Sequence, residues 1–132
     1  MPVAFEERYL DVLQNIESGI VRAYLDHAEL TDVDALQAVE ALIRVYQAEA
    51  KPQAAFEPRL RPSAQPVFEA IHAMCDWRLG RKPLLGQGQS PELPPKTVEE
   101  MIACLKYIRR SIERWNKRGG QRGYLDFVSQ YL

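Results

Sequence analysis

Histidine and cysteine are scarce in this chain of 132 residues, with two of each. Cys75 and Cys104 are too few for a disulfide framework and too far apart for a metal-ligand pair, so neither staple nor thiolate metal site is expected. Both fall on apolar helical stripes, where a thiol is ordinarily inert packing, and no serine stands in a nucleophile-elbow context. No catalytic residue is therefore assigned. Long apolar runs are also missing, and none approaches the roughly 20 residues that cross a bilayer. The start, "MPVAFEERYLDV", turns acidic almost at once and lacks the basic opening and apolar stretch of a secretory signal. A reduced, cytoplasmic setting is expected. Strand-like alternation, internal repeats and cofactor fingerprints are absent, and no cofactor is expected.

What remains is apolar surface at helical pitch. The composition is 46% hydrophobic, and a chain of this length buries roughly two thirds of its unfolded surface. One domain over residues 1–132 is expected, with loops near 51–63 and 81–96. Phe5, Tyr9, Val12, Leu13, Ile16, Ile20, Ala23, Tyr24 and His27 recur at three- and four-residue steps and predict a first helix over Ala4–His27. Gly19 inside it implies close approach of another backbone. Thr31 or Asp32 caps a second helix reaching about Ala50, and the short join predicts that the two pack antiparallel. Four prolines between Lys51 and Pro66 exclude a long helix there. Phe56 and Leu60 are expected to anchor that connection. Ser63 is expected to cap a third helix ending at Leu79, with Gly80 as its stop. Arg81–Lys96 reads as a loop whose Leu84, Leu85 and Leu93 dock.

The last third is the most specific stretch. Thr97 and Glu100 form a capping box before a long amphipathic helix. Gly119 is expected as the left-handed residue past its end, and a short apolar helix follows. The predicted fold is all-α, an antiparallel bundle of four main helices plus a short C-terminal helix.

Charge is uneven. The net is −1, but the chain up to Ala50 carries −7 and the remainder +6. The halves can attract each other within one fold or across a dimer, or the basic half can meet an anionic partner. Lys106, Arg110 and Lys117 share one side of the long helix with Glu99 and Glu113, which predicts a salt-bridged wet face.

Three candidate sites follow. Lys117, Arg118, Gly119, Gly120, Arg122 and Gly123 form a basic glycine turn feeding a helix N-terminus, a place for a phosphate or carboxylate. Asp126 is expected to compete for the same N–H groups. Tyr124, Phe127, Val128 and Tyr131 make the terminal helix apolar enough to need a surface to dock on, and a contact between chains is one such surface. Glu69, His72 and Asp76 share a face of the third helix, but the second Glu-x-x-His of a di-metal bundle is missing. They are read as a solvent-facing cluster, and no metal is expected. The leading functional reading is an interaction or scaffolding module acting as a homodimer. The rival is an anion- or nucleic-acid-binding module using the 117–123 turn, and a metal-dependent enzyme is third.

Overall fold

The computed structural model describes residues 4–51, 56–81 and 96–131. Among these every regular element is helical: α1 (Phe5–Arg8), α2 (Leu10–Asp26), α3 (Asp32–Glu49), α4 (Gln65–Arg78), α5 (Val98–Gly119) and α6 (Gly123–Ser129), with one 3-10 turn at Gly120–Arg122. No helix among them is long and apolar enough to cross a membrane. The docking expected of Leu84, Leu85 and Leu93 lies outside the described residues.

Side-chain periodicity builds the bundle. Val12, Leu13, Ile16 and Ile20 of α2, Val39, Leu42 and Ile43 of α3, Val67 and Ile71 of α4 and Met101, Leu105, Ile108 and Ile112 of α5 converge in one buried cluster. Burying each such side chain stabilises by about 1.5–3 kcal/mol before chain entropy is subtracted. α2 packs on α4 and α5, and α3 packs on the same two helices. The expected α2–α3 neighbour pair is thus corrected. The short connection crosses the end of the bundle, and the two helices lie diagonally opposite. Gly19 makes the α2–α4 contact close: a β-carbon there would sit 3.4 Å from the Ala70 carbonyl oxygen.

Local chemistry departs from expectation at three places. The first helix breaks at Tyr9 (φ −117°, ψ 20°), where the buried ring tilts against Phe5 and its hydroxyl donates to Glu100 at 3.0 Å. Ser63 does not cap α4, whose N-cap is Ala64. Its hydroxyl donates instead to Asp34 at 2.6 Å, while the other oxygen of that carboxylate accepts the Thr31 N–H at 3.0 Å. One buried acid thereby ties the start of α3 to the connection before α4. Past α5 the left-handed residue is Gly120 (φ 77°) rather than Gly119, so the helix runs one residue longer than expected. Gly80 (φ 76°) ends α4 as its position predicts.

Leu60 packs against the core as expected, and the Arg44 guanidinium lies over the Phe56 ring at 6.0 Å. Arg78 is buried and meets Asp11 at 2.8 Å, which fixes the end of α4 against the start of α2. Burial works to raise the Asp11 carboxyl, but the hydrogen bond and charge of Arg78 outweigh it and hold the group below its usual range.

Candidate functional site

The basic glycine turn is built around an acid from elsewhere in the chain. Asp32, at the first position of α3, is buried, and its carboxylate accepts the N–H groups of Tyr124 at 2.8 Å and Leu125 at 3.1 Å. The Asn116 amide donates to the same carboxylate at 3.2 Å and to the Gly120 carbonyl at 2.9 Å, bridging helix end and turn. Backbone donors at the start of α6, which the sequence offers to an external anion, thus already hold an internal one. Asp126, expected to compete for them, accepts the Tyr24 hydroxyl at 3.1 Å instead. Arg122 donates to the Ala28 carbonyl, pinning the turn to the α2–α3 connection. Gly123 lies against the Trp115 carbonyl with no room for a side chain. Lys117, Arg118, Gly119 and Gly120 are left at the surface.

α6 docks within its own chain. Tyr124 and Val128, expected at an interface, are fully buried in the core together with Leu125. That burial supplies the docking a seven-residue helix needs. Phe127 stacks on Trp115 with ring centroids 3.9 Å apart, and Tyr131 meets Phe127 edge-on at 5.3 Å. Tyr131 is 49% exposed, and its hydroxyl donates to Glu17 at 2.8 Å. Burial pushes the Glu17 carboxyl up, and the Tyr131 hydrogen bond opposes that shift.

The Glu69, His72 and Asp76 triplet comes apart. Glu69 is exposed and accepts from Gln65 at 3.0 Å. Asp76, expected toward solvent, is buried: it accepts the Tyr46 hydroxyl at 2.9 Å, meets His72 at 3.3 Å and lies 3.8 Å from Arg81. Arg81 in turn makes a two-pronged pair with Glu49 at 3.0 and 2.8 Å. The apolar neighbours of α4 gave no hint of this because the hydroxyl that meets Asp76, that of Tyr46, comes from α3. Among the described residues no group of three His, Cys, Asp or Glu side chains is placed to hold a metal ion. Both cysteines are buried; burial raises the Cys75 thiol well above its ordinary range and pushes Cys104 up to about 12. Neither is poised as a nucleophile at neutral pH.

The outer face of α5 is where charge is left over. Lys106, Arg109, Arg110, Arg114, Lys117 and Arg118 form no ion pair within 4.0 Å among the described residues. The expected salt-bridged face with Glu99 and Glu113 is therefore corrected: the acids share the side but do not reach the cations. Lys106, Arg110, Arg114 and Arg118 follow one another at four-residue steps, a series legible in the sequence but masked there by counting Glu99 and Glu113 as partners. Two recesses open beside this row. One, of about 210 Å³, is lined by Glu6, Tyr107, Arg110, Ser111 and Arg114. The other, of about 420 Å³, has the Trp115–Phe127 stack at its side, with Arg118, Asp126 and Gln130 around it. The Arg118 guanidinium lies 5.5 Å from the Trp115 ring centre. No family model, no curated protein and no solved structure matches this chain.

Proposed function

We propose that the protein is an interaction module that engages an anionic partner through the outer face of α5. The observation that carries this reading is the row Lys106, Arg110, Arg114 and Arg118, unpaired within the described residues. Like charges four residues apart each destabilise a helix by about 0.2–0.5 kcal/mol. Three successive pairs cost the helix on the order of 1 kcal/mol, and the helix dipole repays that only in the last turn. An anionic surface laid along the row removes the repulsion. The test is retention on heparin resin of a Lys106→Gln, Arg110→Gln, Arg114→Gln triple variant. The parent is expected to elute at clearly higher salt, and co-elution of the two would remove the basis of the reading.

A homodimer is the second reading, favoured by the charge of −7 up to Ala50, which a second copy can offer to α5. Against it, the exposed large apolar side chains among the described residues are few (Leu10, Leu25, Val33 and Tyr131), and Leu10 and Leu25 stand at opposite ends of α2, about 22 Å apart at 1.5 Å per residue. Sedimentation at low salt separates the readings. A dimer that the triple variant abolishes supports pairing, and a strict monomer at high concentration removes it.

A further inference from the structure

We infer that the anionic partner is a single-stranded nucleic acid, with a base entering the Trp115–Phe127 recess and phosphates lying along Lys106, Arg110 and Arg114. The inference rests on the reading that α5 is the working face, and it names the partner class of that face.

Two kinds of surface lie side by side on one helix. The guanidinium groups of Arg110 and Arg114 share their recess with Ser111 and Tyr107, whose hydroxyl groups are hydrogen-bond donors, and with the Glu6 carboxylate; the two cations outweigh that one acid, and the set suits a phosphodiester. From Arg110 to Arg118 the helix advances about 12 Å, so the recess beside Trp115 follows within a few nucleotides of an extended strand. There the surroundings change from cationic to aromatic. The Trp115–Phe127 stack flanks an open space of about 420 Å³ with a carboxylate (Asp126), an amide (Gln130) and a guanidinium (Arg118) around it. Phe127 covers one face of Trp115 and the Arg118 guanidinium lies over the ring 5.5 Å from its centre, so a base stacks there by displacing Arg118, and the polar rim meets its hydrogen-bonding edge.

The composition of that rim decides between partner classes. An acidic peptide satisfies the cations of α5, but Asp126 beside the aromatic pair repels a second carboxylate. A nucleobase turns that oxygen into an acceptor for its N–H groups. A duplex satisfies the cations too, but its bases are stacked and paired, and none reaches a recess at the side of a helix. An unpaired strand uses both surfaces.

The test uses the full chain and a labelled oligothymidylate, read by anisotropy and by tryptophan fluorescence. The single strand is expected to bind more tightly than a duplex of equal length and to quench the tryptophan signal. The Lys106→Gln, Arg110→Gln, Arg114→Gln variant should weaken binding and flatten the dependence of log K on log salt by about 2, three phosphate contacts at roughly 0.7 each. Trp115→Leu should cost roughly five- to 150-fold, the worth of one stacked base. That ring also supports α6, so the melting curve of this variant is compared, and the strand comparison on the unaltered protein needs no substitution. If the duplex binds equally well without quenching, or polyglutamate displaces the strand at equal charge, the nucleic-acid inference is overturned. The anionic reading then stands, provided the triple variant still loses binding. If no polyanion binds at low salt, both fall together.

Discussion

The two ends of α5 are closed in opposite ways. At the N-terminus, Thr97 and Glu100 satisfy each other across three residues: the hydroxyl accepts the Glu100 N–H and the carboxylate accepts the Thr97 N–H, each at 3.1 Å. The backbone hydrogen bond at Thr97, then the Tyr9 hydroxyl, hold the Glu100 carboxyl below its usual range. At the C-terminus the chain leaves through Gly120, re-enters a helix at Gly123, and finds the acceptor for that helix in Asp32, more than 90 residues earlier. The local closure is exposed and modular. The distant one is buried and holds three helices at once. A helix end closed from within its own turn costs little to lose, whereas one closed from across the fold carries tertiary structure with it.

Asp32→Ala should show the largest difference. It leaves the Tyr124 and Leu125 N–H groups buried without an acceptor, each worth about 1–3 kcal/mol, so a loss of about 3 kcal/mol and a fall in Tm of roughly 10 °C are expected. Asp32→Asn keeps one acceptor oxygen and should fall between. Denaturant unfolding of both decides the matter. An alanine variant as stable as the parent would mean that α6 docks by its apolar side chains alone.

Gly123→Ala comes next. The helical φ of −55° suits alanine, so no backbone strain is involved. The added methyl would instead overlap the Trp115 carbonyl oxygen, and α6 must lift from α5 to admit it. Overpacking of this kind costs about 1–3 kcal/mol. Hydrogen exchange of the α6 amides should rise well beyond that of α5. Uniform exchange across both helices would show that they open together.

Thr97→Ala, at the opposite end, should cost only about 1 kcal/mol, the ordinary worth of an N-cap. Because Glu100 also accepts from Tyr9, a larger loss would show that the box supports the break between α1 and α2 as well.

This contrast also separates what could be read from the residues from what could not. The capping box, the stripes of α2 to α5 and the stop at Gly80 depend on neighbours within one turn, and their spacing carries the information. Ser63 has the chemistry of a cap yet bonds to Asp34, because a buried carboxylate from α3 stands nearer its hydroxyl than the amides of α4. The periodicity of α4 puts Asp76 on a wet face, but Tyr46 of α3 draws it inward. Asp32 read as a cap candidate for α3 and serves α6. Each acid's role is set by a partner on another element, and periodicity within one helix contains no trace of it. The cationic row of α5 was the opposite case. Its four-residue step is plain in the sequence, but whether Glu99 and Glu113 neutralise it is a matter of distance, which the fold sets.

The smallest effect is the sharpest probe of the C-terminal closure, since it compares two adjacent glycines. Gly119 has a negative φ of −115° and open space where a β-carbon would go, while its neighbour Gly120 sits at φ 77°. Gly119→Ala removes freedom from the unfolded chain at a negative φ that alanine can adopt and should stabilise by up to about 1 kcal/mol. Gly120→Ala puts a side chain at φ 77°, ψ −154°, a region essentially confined to glycine, and should destabilise by about 1–3 kcal/mol. Opposite signs in paired thermal melts would place the left-handed exit at Gly120. Losses at both positions would mean that α5 ends one residue earlier. Asn116 would then lose the Gly120 carbonyl as its second partner, and the bridge from α5 to Asp32 would need a different geometry.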